Sequence, residues 1–351
     1  IYQRVLETQP VRELYRSAAD PRLIVADKHN GGKADSLNAA LNLADGELVC
    51  AIDADTLVDP TALQILVSPF LDDEDTVAVG GTIRLVNDAD ASRSRVERLH
   101  APKGRLVGAQ VVEYSRAFLI GRLGWNILGG NLIISGAFGL FDRAAVMDAG
   151  GYEHRSIGED MELVVRLRRH AYEAGRRAKV VFEPDPVAYT EAPASMGTLA
   201  RQRNRWFRGL LDVLIRHRRM MLRPRYGSAG MLALPYFLVV EALAPLIEIL
   251  GLVLVTVGLA TGTIGGDELR LIGGAYLLGV CATLLVLLFD QVVWVSYEST
   301  RDRLRLLGHV VFEQFVFRPA TILWRMWGLK LFLEGRTDWG VQRRRGFSPP
   351  T

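Results

Sequence analysis

Cysteine is nearly absent from the 351 residues: only Cys50 and Cys281 occur, far apart and each inside an apolar run. That excludes a disulfide scaffold and a cysteine-based zinc site. The six histidines form no HxxH or HExxH pair, so a zincin is excluded too. No internal repeat or low-complexity tract is visible. An excess of one charge is also missing, since 42 Lys+Arg face 39 Asp+Glu for a net charge of +3. The first residue is Ile1, not an initiator methionine, and neither a signal peptide nor an opening strand follows it. The first run suited to a central strand is Leu23–Ala26, and Ile1–Ala19 reads as a polar loop or short helix. The expectation is a chain that starts inside a domain, with part of its site upstream.

What is present is unevenly spread. Hydrophobic residues make up 49%, which allows a sizeable core and excludes global disorder. The length allows two or three domains. Residues 1–228 read as a charged soluble domain, whereas residues 229–297 hold apolar runs that no small soluble domain needs. The contrast argues against a purely soluble protein and equally against a pure transporter.

Along the first part, strand and helix signals alternate. Leu23–Ala26 is a buried-type strand, and Lys33–Ala44 carries apolar residues at helical spacing. Leu48–Ile52 is a continuous apolar run, and Asp59-Pro60 then opens a helix with Leu63, Leu66, Val67 and Phe70 on one side. Val77–Val86 and the Ile133–Phe141 region read as strands, residues 111–128 as an apolar helix, and Asp160–Ala174 as a helix stopped by Gly175. Val180–Phe182 and Val187–Tyr189 are short strands. The pattern predicts an α/β domain with a mainly parallel sheet. Gly230–Ile264 and Leu269–Tyr297 each exceed the roughly 20 apolar residues that span a bilayer core. Arg-rich flanks at 201–225 and 301–305 place those ends in the cytoplasm and the short loop Thr261–Arg270 outside. Val310–Leu333, with basic residues on both sides, reads as interfacial or re-entrant.

Four segments could carry chemistry, and each admits a plainer reading. Asp53-Ala54-Asp55 ends a buried strand, where open α/β sheets bind ligands. Its hard oxygens suit Mg²⁺ or Mn²⁺; the plainer reading is a solvated turn. Asn30-Gly31-Gly32-Lys33-Ala34 offers backbone N–H groups and an ammonium to a phosphate, or is an ordinary loop entering a helix. Gly158-Glu159-Asp160 opens a helix, so one acid could serve only as a cap. In Gln202-Arg203-Asn204-Arg205-Trp206, residues 202, 205 and 206 share one helical face able to hold a diphosphate and stack on a sugar. The same stretch could be a basic helix drawn to anionic lipid.

Together, in this order, the segments resemble the membrane-bound family 2 glycosyltransferases, the group of cellulose, hyaluronan, chitin and poly-N-acetylglucosamine synthases. The matching pieces are Gly32-Lys33-Ala34 with Asn38, Asp53-Ala54-Asp55, Ile134-Ser135-Gly136-Ala137-Phe138, Gly158-Glu159-Asp160 and Gln202-x-x-Arg205-Trp206, followed by apolar helices. The resemblance covers roughly residues 23–300 and is closest to the poly-N-acetylglucosamine synthase branch. Two departures stand out. The family's first strand and uracil-contacting Asp have no counterpart, and Gly158 replaces a frequent Thr.

The resemblance implies a GT-A-type, Rossmann-like nucleotide-sugar domain lacking its first strand and followed by transmembrane helices. It divides the chain into a cytoplasmic catalytic domain (1–200), an Arg-rich interfacial helix region (201–228), a membrane region (229–333) and a cytoplasmic tail (334–351). That membrane region holds about two spanning helices and the interfacial or re-entrant segment, and the implied location is the bacterial inner membrane. Asp55 would hold Mg²⁺ or Mn²⁺, Lys33, Asp53 and Arg205 the UDP-sugar, and Asp160 would be the base. Ser135, Gly136, Gln202 and Trp206 would meet the acceptor. The implied reaction is inverting transfer from UDP-GlcNAc or UDP-glucose onto a growing β-linked polysaccharide, with transfer to a membrane lipid as the alternative. A catalytically dead nucleotide-sugar sensor is a third possibility, opposed by the intact carboxylates. The implied partners are donor, polysaccharide or glycolipid acceptor and bilayer, with no nucleic acid.

Overall fold

The computed structural model describes residues 5–92, 95–293, 297 and 299–336. The chain opens with a ribbon of β1 (Val11–Arg16) and β2 (Ile24–Lys28), followed by α1 (Gly32–Leu41), β3 (Leu48–Ile52), β4 (Leu57–Val58), α2 (Ala62–Asp72) and β5 (Thr76–Leu85). A small ribbon, β6 (Asp90–Ser92) and β7 (Arg95–Arg98), precedes α3 (Arg105–Arg116), which runs through a π segment (Ala117–Arg122) into α4 (Leu123–Ile127). Then come β8 (Phe138–Asp142), α5 (Arg143–Asp148), α6 (Glu159–Glu173), β9 (Lys179–Thr190) and α7 (Met196–Arg216). Irregular turns lead through α8 (Leu234–Tyr236) to α9 (Ala244–Thr261), α10 (Gly266–Val293), α11 (Thr300–Phe312), a π segment (Glu313–Phe317) and α12 (Arg318–Leu333).

Strands of the main sheet lie in the order β3-β8-β5-β9-β4. Only β5 and β9 pair in parallel, while β3–β8, β5–β8 and β4–β9 are antiparallel. The sheet is therefore mixed, not mainly parallel as the apolar runs suggest. Continuous apolar strands report burial on both faces, and here helices cover both faces of antiparallel strands as well. Along β5 the residues alternate: Ala78 joins the cluster under α1 and α6, Val79 and Ile83 the cluster under α2 and the first π segment. Leu66 and Leu163, fully buried on opposite faces, each contribute about 1.5–3 kcal/mol of burial free energy.

Three further expectations change. Leu23–Ala26 does not enter the main sheet, because β2 pairs only with β1, whose residues fall in the stretch read as loop or short helix. The strand expected over Ile133–Phe141 begins at Phe138, and residues 131–137 cross the sheet as a loop. That crossing depends on two glycines: a Cβ at Gly80 or Gly139 would sit 2.8 or 2.6 Å from the Ile134 side chain. The two short strands after α6 are one irregular strand, β9.

α9 and α10 are long and apolar enough to cross a membrane. The end of α10 is tied to the sheet domain. Arg84 on β5 donates to both Asp290 oxygens at 2.7 and 2.6 Å, and Ser115 on α3 donates to the same carboxylate at 3.0 Å. Arg116 binds Glu313 at 2.8 and 3.3 Å. Removing one partner of a buried pair of this kind costs about 3–5 kcal/mol. α12, in the segment read as interfacial or re-entrant, packs along α7, with Gly328 against the Asn204 backbone. Of the expected tail, residues 337–351 lie outside the described residues.

Candidate active site

The site forms where four segments distant in sequence meet. At the end of β3 the apolar run stops at Asp53, whose N–H donates to Ala137 O at 3.0 Å. Lys33, in the first turn of α1, reaches the same point. Its ammonium lies 2.5 Å from Asp53 Oδ1, donates to Gly136 O at 2.8 Å and stands 3.8 Å from Glu159 Oε1. Asp160 completes the group: a Cβ at Gly136 would lie 3.1 Å from Lys33 Nζ and 3.2 Å from Asp160 Oδ2. Glycine at 136 thus leaves room for an ammonium and a carboxylate beside the loop backbone.

The two acids at the start of α6 differ. Glu159 is buried, whereas Asp160 is half-buried and faces Gly136. Burial pushes the Glu159 carboxyl up to about 7, and the neighbouring Asp160 charge adds to the rise. Lys33 and Arg205 act in the opposite direction without overcoming burial. The cap reading of this motif holds in part: the N-cap residue, Gly158, has no side chain to offer, but Asp160 Oδ1 accepts from Met161 N at 2.8 Å in the first turn. Gly158 also explains the missing threonine. A Cβ there would sit 3.2 Å from Gly209 Cα, so α6 and α7 touch backbone to backbone.

The remaining candidates are placed as follows. Asp55 lies partly buried in the turn between β3 and β4. Ser135 shapes the loop: its Oγ accepts from Ala137 N at 3.4 Å and its carbonyl accepts from Phe138 N at 3.2 Å. On α7, Gln202 is buried with no partner for its Oε1 among the described residues, Arg205 is half-buried and Trp206 is 41% exposed. The glycines before α1 form no open phosphate cradle. Asn30 Oδ1 already accepts from Gly32 N at 3.0 Å, and the buried Asp35 carboxylate lies against Gly31. Asn38 is used structurally, bonding Tyr152 O at 2.9 Å and Tyr152 N at 2.7 Å and so fixing the loop that leads to Glu159.

Three arginines escaped the sequence reading. Arg203 does not face lipid. It forms a bidentate pair with Glu113 at 3.0 and 2.6 Å, and its guanidinium lies 4.5 Å over the Trp206 ring, holding the indole in place. Arg208 likewise turns inward to Asn204 at 2.9 Å. Arg122, at the end of the first π segment, donates to Ile133 O behind the Ser135-Gly136 loop. Burial lowers its pKa to about 10, partly offset by Asp160 and Tyr114. The available signal was an arginine within the apolar run Ala117–Leu128.

Among the described residues no three His, Cys, Asp or Glu side chains are grouped to enclose a metal ion. The donor set is two carboxylates, Asp53 and Asp55, one of them paired with Lys33. This fits a hard divalent cation that takes its other ligands from a diphosphate and water, and does not fit a cation held by protein alone.

A family model described as "Glycosyl transferase family group 2" matches residues 48–289. The chain is 30% identical over 207 residues to a poly-beta-1,6-N-acetyl-D-glucosamine synthase of Staphylococcus aureus (strain COL), covering 58% of this chain and 45% of that one. It is 29% identical over 188 residues to the synthase of the same name from Staphylococcus epidermidis, covering 53% and 40%. The chain therefore spans less than half the length of these curated relatives. Among solved structures, a mannosyltransferase from Pyrobaculum calidifontis in complex with GDP-Man and Mn²⁺ aligns over 86% of this chain and 68% of that one, at 17% identity and a TM-score of 0.48.

Proposed function

The chain belongs to the glycosyl transferase family group 2, and on that footing we propose that it transfers N-acetylglucosamine from UDP-N-acetylglucosamine to a growing β-linked polysaccharide. One observation carries the reading. Lys33, Asp53, Gly136, Glu159 and Asp160, drawn from four separate segments, converge on one ammonium and three carboxylates. The names of the curated relatives support this choice of donor sugar and a polymeric product.

In this mechanism the donor diphosphate lies at the β3 end, bound by Lys33 and Arg205. Asp55, with Asp53 beside it, would hold Mg²⁺ or Mn²⁺. When bound, the cation supplies Lewis-acid stabilisation to the departing diphosphate. Asp160 takes the proton from the acceptor hydroxyl as that oxygen attacks the anomeric carbon from the side opposite the diphosphate. One inverting displacement then gives the β-linkage. Glu159 is too buried to meet the acceptor, and it positions the turn and Lys33. Gln202 and Trp206, with Ser135 and Gly136, line the acceptor side, where the indole braced by Arg203 gives a sugar a flat apolar face.

α9 and α10 would anchor the enzyme in the bacterial plasma membrane, with the sheet domain in the cytoplasm. The test is a donor panel on purified full-length chain with Mn²⁺. Nucleoside diphosphate release and polymer are expected with UDP-N-acetylglucosamine above UDP-glucose and GDP-mannose. Release from another donor alone would overturn the sugar, and a product limited to one sugar on lipid would overturn the polymer.

A further inference from the structure

Where α11 passes the start of α3 there is a cavity of about 440 Å³ that shares no residue with the carboxylate site. Its wall has two chemistries. Lys103, Arg105 and Arg305 line one part, and Val311, Phe312 and Phe315 line another, with no carboxylate in the lining. Arg305 is held in place by Ala101 O at 3.1 Å and Asp302 Oδ1 at 3.0 Å. Lys103 and Arg105 are exposed, and the one carboxylate bonded there among the described residues, Asp88, accepts from the Lys103 backbone N–H at 3.0 Å and leaves the ammonium to the cavity. Behind them α3 begins at Arg105 with Gly104 at its cap and no side chain bonded to the cap. Gly308 leaves the α11 side open, since a Cβ there would meet nothing within 4 Å.

The apolar part does not end at the cavity. Leu304 and Leu307 continue it along α11, and Leu304, Val311 and Phe315 are each more than half exposed. A free anion would use only the basic part and leave this apolar strip in water. A molecule with a phosphate at one end and a hydrocarbon chain behind it covers both.

We propose that this cavity binds one anionic phospholipid, its phosphate on Lys103 and Arg105 and an acyl chain along Val311, Phe312 and Phe315. Cationic side chains beside a bilayer attract anionic headgroups, and a helix start with unbonded N–H groups adds to the attraction. The proposal rests on the membrane placement of α9 and α10 but not on the transfer reaction. A bound lipid would brace α11 against α3 close to the contact of His309 Nε2 with Pro102 O at 2.8 Å.

The test uses the full chain, purified in detergent, stripped of lipid and examined by native mass spectrometry with added phosphatidylglycerol, phosphatidylcholine or inorganic phosphate. One phosphatidylglycerol should be retained in preference to phosphatidylcholine. Lys103→Glu with Arg105→Glu should lower its occupancy about tenfold. Gly308→Leu should do the same by filling the cavity without altering any charge. UDP binding should be unchanged in both variants, which shows that they are folded. Equal retention of the two lipids, or phosphatidylglycerol binding unaffected by both variants, would overturn the proposal. So would inorganic phosphate displacing the lipid, which would make this a plain anion site. Flotation of wild type on phosphatidylcholine vesicles separates the premises. Failure to float removes the membrane placement and the lipid site with it, whereas flotation without lipid selectivity removes the lipid site alone.

Discussion

Asp53 and Asp55 lie in a turn where the chain leaves β3, partly exposed, with Asp53 held by Lys33. Glu159 and Asp160 lie at a helix start packed backbone to backbone on α7, and Glu159 is buried. Both pairs are acidic, and Lys33 touches both. Their surroundings suit them to the different work proposed for them. An accessible carboxylate pair on a turn can adjust to a cation that arrives with its diphosphate. A pair set into the helix start splits into one acid that stays near neutrality and one that remains available to a substrate.

The sharpest way to break this comparison is Asp160→Asn. The amide keeps the shape but accepts no proton, so transfer should fall by roughly 10²–10⁴-fold, while UDP affinity measured by calorimetry stays close to wild type. Near-normal transfer in this variant, with Glu159→Gln inactive, would move the base by one residue.

A smaller effect is expected for Glu159→Gln, and it appears in stability. The folded protein keeps the Glu159 proton up to about pH 7, whereas an unfolded glutamic acid loses it near 4.5. Between those values the unfolded state binds fewer protons, so Glu159 lowers stability as pH rises through that window, and the loss levels off above about 7. The full effect is on the order of 3 kcal/mol. Glutamine has no such loss. The melting temperature of Glu159→Gln should match wild type more closely at pH 5 and exceed it at pH 8. Parallel profiles for the two proteins would show that Glu159 is not held near neutrality.

Asp55→Asn sharpens the other half of the comparison. An amide is a poorer ligand for a hard cation, so the gain in UDP affinity on adding Mn²⁺ should shrink by roughly tenfold, about 1.4 kcal/mol. Unchanged metal dependence would remove Asp55 from the cation site.

Much of the candidate site was legible because local chemistry marks it. A continuous apolar strand ending in Asp-x-Asp, doubled acids opening a helix, and an amide, guanidinium and indole at helical spacing each stand out from their neighbours. Pairings over distance were not legible. Nothing near Lys33 says that it donates to Gly136, 103 positions away. Arg203 stood only within a basic stretch that could equally be drawn to anionic lipid, because its partner Glu113 is 90 positions away. Strand direction was hidden for a similar reason. β8 returns between β3 and β5 only after the long excursion through α3, and an antiparallel strand buried on both faces has the same composition as a parallel one.

The Gly158–Gly209 contact has a mechanical meaning. Two helices normally meet through side chains that yield by changing rotamer, so small displacements are absorbed. Here the backbones touch directly, and no side chain lies between them to give way. Trp206 sits on α7 one turn from that contact, and Asp160 lies two residues from it at the start of α6. Under the proposed roles, a sugar pressing on the Trp206 indole would load this joint, and Asp160 stands just beyond it. A methyl group at either glycine would act as a shim, 3.2 or 3.0 Å from the opposite backbone, and force the two helices apart.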